Sequence, residues 1–130
     1  MCYTYYSKEW FFVRDVSILT DNGVNLESAL EFLGDLSFYD ETLEAFLMEN
    51  ETRLPNIEKY RKELNMADYA ILVHALKSDS KYLGFKELAD IAYEHELASK
   101  ANNVDEVNKK YDKLISEVEK VTNLAKKYLG

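Results

Sequence analysis

The clearest pattern in the chain lies at its C-terminal end. Val104, Val107, Tyr111, Leu114, Val118, Val121, Ala125 and Tyr128 recur at alternating intervals of three and four residues, with Lys, Glu, Asp and Asn between them. That spacing puts one apolar stripe on a single helix of about seven turns. Asn102-Asn103 precedes it as a turn, with Asn103 placed to cap its first turn. Upstream, Phe85, Leu88, Ile91, Ala92, His95 and Ala98 define the inward side of a helix over about 86–101. Gly84 just before it suits the left-handed residue that ends the preceding helix. That preceding helix starts after Asn65 and buries Tyr69, Leu72, Val73, Leu76, Ser80 and Leu83. Its opposite side carries Ala67, Ala70, His74, Lys77, Ser78 and Lys81.

Tyr39, Leu43, Phe46, Leu47, Leu54, Ile57 and Leu64 predict another long helix over about 39–64. Pro55 should kink or divide it, because proline removes a backbone donor and crowds the turn before it. A short helix spans about 25–33 and stops at Gly34. A further helix is predicted near Lys8–Leu19, followed by a turn at Asp21-Asn22-Gly23. The expected fold is all-α: an up-down four-helix bundle over 23–130, with a helical N-terminal extension over 1–22. Short connections force antiparallel neighbours.

Composition narrows the partners. The chain has 130 residues, enough for one domain with a core of its own. Only four glycines and one proline interrupt it, which fits long helices. Sixteen basic against twenty-four acidic residues give a net charge of −8, a field that repels phosphate backbones and argues against nucleic acid. No apolar run is long enough to span a membrane. The aromatic start (Tyr3, Tyr5, Tyr6, Trp10, Phe11, Phe12) is expected to cover one end of the bundle. The single cysteine, Cys2, fits a reducing compartment, and a cytoplasmic monomer is the expectation.

His74 carries the candidate chemistry. Lys77 and Lys81 follow it at three and seven residues, on the same side of one helix. A neutral imidazole offers one nitrogen lone pair as nucleophile, and neighbouring ammonium groups offset the charge of a phosphoryl group without enclosing it. His95, by contrast, occupies a position on an apolar stripe and reads as a core histidine. Neither histidine has a glutamate three residues before it, which disfavours a di-iron bundle enzyme. No glycine-rich phosphate loop points to kinase or phosphatase activity.

The string Val73-His74-Ala75-Leu76-Lys77-Ser78-Asp79-Ser80-Lys81-Tyr82-Leu83-Gly84 resembles the phosphoacceptor segment of bacterial histidine-phosphotransfer (HPt) domains. The family pattern runs His, any, Leu, Lys, Gly, small, small, two variable, aliphatic, Gly. Gly23 to Phe46 is similar to the family's lead-in to its first long helix, and Leu88-Ala89 with Glu96 to its following helix. The resemblance implies a phosphorelay intermediate. His74 would carry the phosphoryl group, exchanging it with a histidine kinase or with the aspartate of a response-regulator receiver domain. Lys77, with Ser78, would steady the phosphoryl oxygens. Glu96 would orient the imidazole through its other nitrogen, and Ala70 and Lys81 would meet the partner. No cofactor is implied on this chain, since Mg²⁺ belongs to the receiver or kinase. Ser78 departs from the family's usual Gly, the one motif feature that favours an adaptor binding such partners without phosphotransfer.

Overall fold

A computed structural model describes residues 4–6 and 13–130. Among them six helices follow a two-stranded ribbon. Strands β1 (Thr4–Tyr6) and β2 (Val13–Asp15) pair antiparallel, with Thr4 opposite Asp15. The helices are α1 (Ser17–Thr20), α2 (Leu26–Leu33), α3 (Leu36–Lys62), α4 (Met66–Tyr82), α5 (Lys86–Lys100) and α6 (Val104–Leu129). The last four form the bundle, so the chain is an all-α helical bundle with additions at its N-terminus.

The helix ends obey side-chain chemistry. Asn25, Asp35, Asn65 and Asn103 each accept a hydrogen bond from the backbone N–H three residues on, satisfying a donor that the first turn leaves open. Asp35 starts α3 at Leu36, three residues earlier than the apolar pattern predicts. Left-handed residues stand before three of the bundle's caps or turns: Leu64, Gly84 and Asn102 have φ of 57°, 84° and 54°. At Gly84 the requirement is double. A Cβ there would lie 2.5 Å from the carbonyl oxygen of Asn25, whose own N–H donates to the Gly84 carbonyl at 2.9 Å. Only glycine lets α2 seat against the α4–α5 turn.

Pro55 does not divide α3, which runs unbroken through it. Pro55 and Glu51, whose carbonyl loses its helical donor to the proline, are both exposed, so water can satisfy the freed oxygen.

The predicted N-terminal helix near Lys8–Leu19 is a correction. Among the described residues of that stretch, Val13–Asp15 is strand and helix is confined to the single turn Ser17–Thr20. Residues 8–12 lie outside the described residues, as do Cys2 and most of the aromatic stretch expected to cover one end of the bundle. Residue propensity and strand pairing both act here. Thr, Tyr and Val favour the pleated backbone, and the two short strands satisfy each other's donors and acceptors. Asp15 then turns the chain by accepting from the Ser17 N–H and hydroxyl at 3.0 and 2.6 Å. Arg14 fastens the end of the ribbon to α3 through Asp40 at 2.7 Å, and Asp40 also accepts from the Tyr128 hydroxyl of α6.

The core runs the length of the bundle. Tyr39, Leu43 and Ile57 of α3, Tyr69, Val73 and Leu76 of α4, Leu88 and Ala92 of α5, and Leu114 and Ala125 of α6 are fully buried. Every one of these positions in α4 to α6 belongs to a predicted apolar stripe. No described helix is long and apolar enough to cross a membrane.

Candidate functional site

Helices α4 and α5 run antiparallel about the turn at Leu83–Phe85. His74 precedes Phe85 by as many residues as Glu96 follows it, so equal lengths of helix bring the two side chains to the same level. The Glu96 side chain is only 3% exposed, whereas that of His74 is 55% exposed. The His74 Nδ1 lies 2.7 Å from Glu96 Oε2. Lys77 donates to Glu96 Oε1 at 2.7 Å, and Lys100 donates to Oε2 at 2.6 Å.

These contacts fix the charge of Glu96 and, through it, the tautomer of a neutral His74. Burial alone would push the Glu96 carboxyl up, but hydrogen bonds from Lys100, Lys77 and His74 outweigh it and hold the pKa at about 2. Glu96 is therefore an anion near neutral pH and can only accept. Neutral His74 must then carry its proton on Nδ1 and its lone pair on Nε2. Nε2 has no hydrogen-bond partner among the described residues, and the half-exposed ring leaves that edge toward solvent.

The expected site residues separate into groups. His74, Lys77 and Glu96 come together as predicted. Lys77, though, is bound to Glu96 and stands 5.1 Å over the Tyr93 ring, so its ammonium does not project freely into solvent. The Ser78 hydroxyl, half-buried one turn beyond His74, makes no hydrogen bond among the described residues, the i−4 carbonyl of His74 included. Lys81 is exposed and lines a cleft of about 420 Å³ with Lys77, Lys86 and Tyr93. Ala70 is a correction: at 6% exposure it is buried and offers a partner almost no surface. It sits a full turn before His74 but rotated toward the bundle. Its neighbour Ile71, at 65% exposure, takes the outward place.

Lys100 was not among the predicted site residues. It stands four residues after Glu96 on the same helix, a spacing at which a glutamate and a lysine meet, and that signal was present in the sequence. His95 is a core histidine as expected. The Tyr69 hydroxyl donates to its Nδ1 at 2.8 Å, so its Nε2–H donates to the Lys110 carbonyl at 3.0 Å. Burial keeps its pKa below the usual histidine value, in keeping with a neutral ring.

Compared with curated proteins and with solved structures, the chain matches none. Among protein families, the Hpt domain matches residues 41–124, a span that holds α4, α5 and most of α3 and α6. The match covers well over half of the chain and contains the whole His74–Glu96 arrangement; the chain belongs to the Hpt domain family of phosphorelay signalling modules.

Proposed function

We propose that this protein is a phosphorelay intermediate that takes a phosphoryl group on Nε2 of His74 and exchanges it with the aspartate of a receiver domain. The observation that supports this reading best is the buried, ionised Glu96 on the Nδ1–H of a half-exposed imidazole. It selects the tautomer whose outward nitrogen attacks. In the step we propose, the Nε2 lone pair attacks the phosphorus of an aspartyl phosphate in line. The N–P bond forms as the P–O bond to aspartate breaks, and aspartate leaves as a carboxylate. The Nδ1 proton stays on the ring, which becomes cationic, and Glu96 offsets that charge. Return of the phosphoryl group to aspartate reverses each change. The chain supplies positioning and electrostatics; the Mg²⁺ that screens the receiver's acidic site belongs to the partner. A histidine kinase is the other proposed donor, and the net charge of −8 argues against nucleic acid.

The test is phosphorylation of the purified protein with phosphoramidate, followed by a chase with receiver domains. Wild type is expected to gain an acid-labile, alkali-stable phosphoryl group and to pass it to a receiver, and His74→Gln to gain none. Equal labelling of His74→Gln refutes the assignment. Receiver binding without transfer by wild type or variant would establish an adaptor instead.

A further inference from the structure

Glu96 has more cationic partners than orientation of His74 needs. One carboxylate, almost fully buried, accepts from His74 Nδ1 and Lys100 Nζ on Oε2 and from Lys77 Nζ on Oε1. Lys77 is the cation nearest in sequence to the phosphoryl position, yet it is occupied. To meet a phosphoryl group on Nε2, at the far edge of the ring, its ammonium must leave Oε1. At that moment the imidazole is still neutral, so without another cation the departure would strand a buried carboxylate against one neutral donor. Breaking a buried ion pair by removing one partner is costly because it leaves an uncompensated charge. Lys100 removes that obstacle. It sits on the opposite oxygen and approaches from α5 itself. Its side chain is 60% exposed against 23% for Lys77, and because the two ammonium groups occupy different oxygens, Lys100 can stay on Oε2 as Lys77 vacates Oε1.

Resting on the phosphoacceptor reading of His74, we propose that Lys100 is a positioning residue: it keeps Glu96 in charge balance while Lys77 swings from Oε1 to the phosphoryl oxygens. The arrangement makes Lys77 a movable cation and Lys100 a fixed one. After transfer the ring is cationic, Glu96 faces His74 and Lys100, and Lys77 faces the phosphoryl group, so every charge has a partner.

The experiment measures His74 phosphorylation by phosphoramidate, in which the Nε2–P bond forms as the donor's P–N bond breaks and ammonia leaves. Wild type, Lys100→Met, Lys100→Arg, Lys77→Met and the Lys77→Met/Lys100→Met double variant are compared. Because the Lys100 end of the pair is exposed and screened by solvent, a rate loss of about threefold is expected in Lys100→Met. Lys100→Arg, which keeps the cation, is expected to recover it. The discriminating quantity is coupling: the penalty of Lys77→Met should shrink when Lys100 is already absent, because Lys77 can no longer swing. A merely structural Lys100 would leave that penalty unchanged. Lys100 is exposed, so its variants are expected to fold, which thermal unfolding checks. A wild-type rate in Lys100→Met, or an equal Lys77→Met penalty in both backgrounds, overturns the inference while leaving phosphorylation of His74 intact. Failure of wild type to be labelled, or labelling of His74→Gln, instead overturns the underlying reading.

Discussion

Replacing Glu96 by glutamine keeps the shape of the side chain and removes its charge, which makes the electrostatic content of the site measurable as stability. The carboxyl goes from an ordinary 4.5 to about 2 on folding, because three hydrogen bonds outweigh the burial that opposes them. A shift of that size corresponds to about 3 kcal/mol of stabilisation. Two of the donors, His74 and Lys100, are more than half exposed and therefore screened by solvent, so the realised figure is set at about 1–3 kcal/mol. The sign follows from a depressed pKa. The contribution is fully present above pH 4.5 and is lost as pH falls from there toward about 2. Urea unfolding of wild type and Glu96→Gln at about pH 7 and about pH 3 isolates it, since the other carboxyls titrate in both proteins. Wild type should be more stable at the higher pH by about 1–3 kcal/mol, and the gap should narrow at the lower. A gap of the same size at both values refutes the claim that an ionised, buried carboxylate organises the site. The glutamine oxygen can still accept from Nδ1–H, so the variant should lose more stability than tautomer preference.

Two further outcomes test the scaffold. Gly84→Ala forces a side chain into left-handed backbone and onto the Asn25 carbonyl. It should cost about 2 kcal/mol or more and lower the calorimetric Tm by about 5–10 °C; an unchanged Tm would show that α2 does not seat there. Tyr69→Phe removes the donor to His95 Nδ1 between two buried side chains. Leaving that nitrogen unpaired should cost about 1–3 kcal/mol in urea unfolding, and no loss would mean that His95 finds another partner.

The sequence alone determined the bundle and singled out His74. Stripes at helical spacing named the buried faces of α4, α5 and α6, because a helix can hide only one side and apolar residues must take it. Asparagines before α4 and α6 and Gly84 after α4 marked ends that backbone chemistry demands. Helical spacing placed His74 on the outward side of α4, and the family resemblance, not spacing, named Glu96 as its partner; the antiparallel α4–α5 hairpin then brings the two together. Tertiary structure decided what depends on neighbours. Ala70 turned inward because side-chain size says nothing of which face a residue shares with an adjacent helix. The N-terminal segment became a ribbon because strand pairing is a contact between distant residues, and helix spacing cannot register it. Lys77 came to rest on Glu96, with Lys100 beside it, because a flexible ammonium goes to the strongest charge within reach, and only the packed α4–α5 pair puts a desolvated carboxylate there.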